Sequence, residues 1–141
     1  MPTKWEKMGK TKAPLEKAMD YYWHPENLPK VHPDFVKEVK ILSSEGDTIK
    51  LEQHARIMGR NLMSVNTLKV DRAANTFNID TLEGDGKGSK ISIALKSAPD
   101  GTELWYAASM ELGPLGFFAK GPAKAQFEKT VDEDVAALNA A

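Results

Sequence analysis

The sequence predicts an α+β chain: a curved antiparallel sheet of six or seven strands wrapped around a long C-terminal helix, with two short helices after the first strand. Three observations carry this expectation. Turn-forming residues recur at nearly even intervals, centred near positions 46, 60, 73, 86 and 100. The segments between them alternate apolar and polar residues, as a sheet with one covered face requires. Beyond position 115 the apolar residues change to helical spacing.

The turns are Ser44-Glu45-Gly46-Asp47, Gly59-Arg60-Asn61, Asp71-Arg72-Ala73-Ala74-Asn75, Gly84-Asp85-Gly86-Lys87-Gly88 and Pro99-Asp100-Gly101. Glycine and Asn supply the positive φ angles of tight reversals, and Pro-Asp-Gly presets a turn. No sequence similarity accompanies the spacing, so it marks a meander of strands of about ten residues and not an internal repeat.

Taken in order, residues Lys4 to Lys12 form an opening strand whose only large apolar residues are Trp5 and Met8. Ala13-Pro14-Leu15-Glu16 then starts a helix, with Pro at the first helical position and an acid in the first turn. Leu15, Ala18, Met19 and Tyr22 share one stripe of it, and Tyr22 is expected to face inward with Trp23 capping a mouth. Pro25 restarts the chain and Pro29 keeps the second helix short. Phe35 to Leu42 follows as a strand with Phe35, Val39 and Ile41 on one face.

In the next strand Ile49, Leu51, Ala55 and Ile57 oppose Lys50, Glu52, His54 and Arg56. Leu62, Ser64, Asn66, Leu68 and Val70 form the expected inner face of the following strand, with Met63 and Val65 ready to replace them if a bulge shifts the phase. Phe77 and Ile79, then Ile91, Ile93 and Leu95, then Leu104, Tyr106, Ala108, Met110 and Leu112 complete the pattern. The final helix runs from about Leu115 to Asn139. It has Phe127, Val131, Val135 and Leu138 on one stripe, Lys124, Glu128, Asp132 and Glu133 toward solvent, and Pro122 kinking it or starting its main body.

Composition narrows the function. A chain of 141 residues, 41% apolar, 28% charged and without cysteine, reads as one domain over 1–141 that buries roughly two-thirds of its unfolded surface. Nineteen Lys plus Arg against twenty Asp plus Glu leave a net charge of −1, which argues against a nucleic-acid partner. No apolar run approaches the about twenty residues of a membrane span. The start, Met1 to Lys12, lacks the apolar core of a secretory signal, so a cytoplasmic location is expected.

A strand of ten residues spans about 33 Å, and a twisted sheet of such strands is wider than a helix of about 10–12 Å can fill. The inner face also carries small or polar residues, Gln53, Ala55, Ser64, Asn66, Thr81 and Ala108, where a close-packed core would hold Leu or Ile. A mostly apolar cavity with a few polar anchors is therefore expected. Its binding wall takes Leu51, Gln53, Ala55, Ser64 and Asn66 from two strands. Phe77, Ile79, Ile93, Tyr106, Ala108 and Met110 come from the next three. Tyr22, Phe118 and Phe127 come from the helical segments.

His24, His32 and His54 lack metal-ligand spacing, and no metal or other cofactor is expected. The run Gly84 to Lys90 fits neither phosphate-binding glycine motif and reads as a hairpin turn. Leu115, Phe117 and Phe118 form either a flexible apolar lip, with transient membrane contact, or the staple that seats the last helix.

Several segments together resemble the SRPBCC superfamily. These are Ala13-Pro14-Leu15-Glu16-Lys17-Ala18-Met19-Asp20-Tyr21-Tyr22, Pro25-Glu26-Asn27-Leu28-Pro29, His32-Pro33, the meander, and Glu111-Leu112-Gly113-Pro114-Leu115-Gly116 leading into a helix that ends with Asp134 to Leu138. That superfamily has the helix-grip fold of START lipid-transfer domains, polyketide cyclase/dehydratase-like proteins and the birch-pollen-allergen type. The resemblance spans essentially the whole chain. It implies a cavity between sheet and helix that holds a lipid, sterol, polyketide, quinone or other apolar molecule.

Binding or transport of a small hydrophobic molecule is the leading expectation, with Gln53, Asn66 or Tyr106 orienting the guest and Tyr106 donating from its hydroxyl. A cyclase or dehydratase is the enzymatic alternative, weakened because no inward-facing His, Asp or Glu is expected to act as base. A protein-interaction module using the outer sheet face and Trp105 is the third.

Overall fold

Strand β1 (Thr3–Thr11) leads into helix α1 (Leu15–Tyr22), a 3₁₀ turn (Pro25–Asn27) and the short helix α2 (Leu28–Val31). Six meander strands follow: β2 (Val36–Glu45), β3 (Thr48–Ile57), β4 (Arg60–Asp71), β5 (Thr76–Gly84), β6 (Lys90–Ala98) and β7 (Gly101–Met110). Helix α3 (Gly116–Ala140) closes the chain. The computed structural model describes residues 2–113 and 120–140 in full and residues 116–119 as backbone. The seven strands form one antiparallel sheet in the order β1-β7-β6-β5-β4-β3-β2. Every neighbouring pair except β1–β7 is thus a hairpin, which is why evenly spaced turns foretell the sheet.

The inner face follows the alternation. Leu51, Leu68, Phe77, Ile93, Leu95, Leu104 and Tyr106 are buried, and Val131 and Leu138 of α3 join the same core. The phase of β4 holds with Asn66, Leu68 and Val70 inward, because the bulge falls on its partner. Val65 pairs with Glu83 and Asn66 with Thr81, leaving Leu82 as the extra residue of β5. Gly84 makes this possible: at φ +84°, a Cβ there would lie 2.2 Å from the Met63 carbonyl oxygen.

Two expectations need correction and a third is narrowed. In β2 it is Val36, not Phe35, that is buried inward, because a register shift between Val36 and Glu38 displaces the alternation before Val39. Pro14 precedes α1 as its N-cap, its carbonyl accepting the Ala18 amide at 3.0 Å, so the first helical residue is Leu15. Pro122 lies inside α3, which runs on either side of it; the proline withholds one donor from the ladder without ending the helix.

Helix placement creates the vacant space. α3 lies against β1, while α1 lies over β6 and β7 and α2 beside β2. At the β1 crossing Gly9 admits the helix closely, since a Cβ there would meet Val135 Cγ2 at 2.9 Å. With α3 drawn to that edge, the middle of the sheet is roofed by the α1–α2 segment. On the outer face Met8 and Trp105 are exposed cross-strand neighbours.

Gly101 opens β7 at φ +148°, and a Cβ there would sit 1.9 Å from the Thr11 carbonyl oxygen. Gly101→Ala should therefore cost about 1–3 kcal/mol by forcing the end of β1 away. The check is the midpoint of urea unfolding; an unchanged midpoint would show that β1 yields freely.

Candidate functional site

A cavity of about 130 Å³ lies between the middle of the sheet, the α1–α2 segment and α3. Leu51 and Gln53 of β3, Asn66 and Leu68 of β4, Phe77 and Ile79 of β5, Ile91 and Ile93 of β6 and Tyr106 of β7 form its floor. Tyr21, Tyr22, Pro25, Leu28, Val31 and His32 roof it, and Phe127, Thr130 and Asp134 of α3 form a side. Period-two alternation puts each sheet residue on this face, and helical spacing aligns Phe127, Thr130 and Asp134.

Of the residues expected on the wall, Tyr22, Leu51, Gln53, Asn66, Phe77, Ile79, Ile93, Tyr106 and Phe127 line the cavity. Ala55, Ser64, Ala108 and Met110 are not part of its lining, although the alternation assigns them to the same sheet face. Ala55 pairs with Val36, whose amide donates to the His32 carbonyl, and with Leu62, and Ser64 sits at the bulge opposite Gly84. Ala108 pairs with Trp5, whose ring lies 5.8 Å from Phe127, and Met110 ends β7 opposite Thr3. Aromatic packing thus occupies that end. The Phe118 side chain, with Leu115 and Phe117, lies outside the described residues. Trp23 does not line the cavity; the Arg72 guanidinium lies 5.8 Å from its ring centroid.

The expectation that no acid or base faces inward is overturned. Asp134 is only 5% exposed, and its Oδ1 accepts the Tyr21 hydroxyl at 2.6 Å. The same oxygen faces His32 Nε2 at 3.0 Å, and Oδ2 accepts the Tyr106 hydroxyl at 2.6 Å. His32, 1% exposed, directs its other nitrogen, Nδ1, to Glu133 Oε1 at 3.1 Å. A proton on each ring nitrogen, the imidazolium form, satisfies both carboxylates at once. Glu133, expected in solvent, is instead half-buried by this contact.

The cluster redirects Tyr106. Its proton goes to Asp134, so its oxygen accepts the Tyr22 hydroxyl, and it has no donor left for a guest. Burial first, and the Asp134 charge second, push the Tyr22 and Tyr106 hydroxyls well above the usual tyrosine range. All three tyrosines of the cluster therefore stay protonated, Tyr21 being raised for the same two reasons.

Burial pulls His32 toward the neutral form, but Asp134 and then Glu133 outweigh it and raise the group above its ordinary 6.5. The stability it contributes is complete below about pH 6.5 and is lost as pH rises through the raised folded-state value. The urea midpoint of the wild type should fall as pH rises above about 6.5, whereas His32→Gln should lack this pH dependence. Parallel pH profiles for the two proteins would contradict the charged assignment.

One available signal pointed to this cluster: Asp134 is seven residues beyond Phe127 and shares its helical stripe with Val131 and Leu138. His32 has no such periodic marker. At the mouth His24 lies between Glu26 Oε1 at 3.0 Å and Asp20 Oδ1 at 3.2 Å. Among the described residues no three His, Asp or Glu side chains converge as a metal-ligand group.

A seven-stranded sheet gripping a C-terminal helix, with a cavity under two short helices, is the helix-grip fold. Solved structures share it. The protein TTHA0849 from Thermus thermophilus superposes with a TM-score of 0.83 at 16% identity, over 97% of this chain and 94% of that one. The Zhui aromatase/cyclase from Streptomyces sp. R1128 does so with 0.82 at 14% identity, over 99% and 93%. A START superfamily protein from Mycobacterium smegmatis gives 0.76 at 19% identity, over 96% and 98%. No protein-family model matches the sequence, and no curated protein matches it.

Proposed function

We propose that the protein binds or carries a small hydrophobic molecule in the cavity under α1 and α2. The observation that carries this reading is the cavity wall: Leu51, Leu68, Phe77, Ile79, Ile91 and Ile93 present apolar surface, interrupted by a few polar groups. Burial of apolar guest surface supplies the affinity, at about 25 cal/mol per Å² before the costs of association. The volume resembles the roughly 150 Å³ of an apolar cavity that takes up benzene, enough for one ring, with the remainder of a guest extending through the mouth.

Native mass spectrometry of protein purified from its own source tests the reading. A co-purifying apolar molecule, displaced with a change in Trp fluorescence, is the expected result. Leu68→Trp should fill the space and lower occupancy at least about tenfold, since overpacking leaves no room for the guest. Unchanged occupancy would place the guest elsewhere.

The inward-facing Asp134, Tyr106 and Tyr22 favour a second reading, a cyclase-type enzyme, as one neighbour is named. Acid–base work needs a proton that can move to or from a guest. Here the Tyr106 proton goes to Asp134 and the Tyr22 proton to Tyr106, which supports binding over catalysis. Product formation from a polyketide-like chain, with Tyr106→Phe lowering kcat more than it raises KM, would reverse that preference.

A further inference from the structure

We infer that the cavity selects guests that donate a hydrogen bond, small phenols and alcohols, over molecules of the same shape that only accept or have no polar group. This deepens the binding reading above and rests on it.

Besides Gln53, Thr130 and the ionic cluster, two polar positions meet the apolar wall, and both of these accept. Asn66 is 5% exposed; its Nδ2 donates to Gln53 Oε1 at 3.5 Å, and its Oδ1 is buried with no hydrogen-bond partner. A buried carbonyl oxygen without a donor is costly, and a guest that brings O–H removes that cost. The second position is the Tyr22 hydroxyl. Asp134 takes the Tyr106 proton and the Tyr106 oxygen takes the Tyr22 proton, leaving Tyr22 with lone pairs and no proton to give. A ketone or ether would set acceptor against acceptor at both positions. Anions fare worse, because Asp134 and Glu133 together outnumber the single charge of His32.

The test uses isothermal titration calorimetry on the full chain with probes that share one ring and one ethyl group. These are 4-ethylphenol, the methyl isostere 4-ethyltoluene, the acceptor 4-ethylbenzaldehyde and the anion 4-ethylbenzoate. The decisive quantity is the phenol-to-toluene affinity ratio in wild type divided by that in Asn66→Leu, because each guest's own hydration cancels. A drop of about tenfold or more is expected, with 4-ethyltoluene binding no more weakly to the variant, and with aldehyde and benzoate both weaker than phenol in wild type. Tyr22→Phe, which changes shape little, should lower the ratio independently and keeps the test decisive if Asn66→Leu does not fold.

An aldehyde that outbinds the phenol, or a ratio unmoved by the substitutions that fold, overturns donor selection while leaving the hydrophobic carrier standing. Failure of every probe to bind overturns both.

Discussion

Asp134→Ala should lower folding stability by about 3–5 kcal/mol, because it removes one partner from a buried ionic cluster and leaves the rest in place. His32 would keep its charge with Glu133 alone, and the Tyr21 and Tyr106 hydroxyls would lose their acceptor. Those contacts join α1 and the segment after α2 to α3, so the roof of the cavity should loosen before the sheet does. Hydrogen exchange should therefore quicken first at the amides of α1. A contrasting variant isolates the cause: His32→Phe with Asp134→Leu, Tyr21→Phe and Tyr106→Phe replaces the buried ion pair and the hydroxyls that depend on it by apolar groups and should recover most of the loss, since desolvated charges return little net stability. If the single variant costs under about 1 kcal/mol, the value of an exposed ion pair, the cluster is wetter than its burial indicates.

Phe77→Ala is expected to cost a similar amount, about 3–5 kcal/mol, through lost burial and an enlarged void. Phe77 is wholly buried on β5, with its ring 5.6 Å from that of Tyr22 and its side chain against the cavity. The deletion should trade stability for capacity. Added 4-ethylphenol should raise the variant's melting temperature more than the wild type's, because a guest that binds only the folded state stabilises it by mass action. Equal shifts would mean that the void collapses instead of joining the cavity.

How much of the site could be read from the residue order depends on the range of the interaction. The floor was legible: Leu51, Gln53, Asn66, Phe77, Ile79, Ile93 and Tyr106 follow from alternation once the turns are placed. Its extent was not, since Ala55, Ser64, Ala108 and Met110 obey the same alternation and do not line the cavity. The alternation assigns a side chain to a face of the sheet; how far along the strand the roof reaches depends on where α1, α2 and α3 settle. The displacement of Phe35 by Val36 has a related cause, a register shift set by pairing with β3.

The residue order alone determined the turns, the phases of β3 to β7, the helical stripe of α3 and so the helix-grip fold, because each depends on steric and hydrophobic preferences within about ten residues of chain. Only tertiary structure decided that the cavity contains a charged cluster. Asp134 meets Tyr21 across 113 residues and His32 across 102, and no local preference encodes such a meeting. It arises because Gly9 lets α3 approach one edge of the sheet closely and the two short helices fold over what that leaves open, bringing isolated polar side chains together in a buried site.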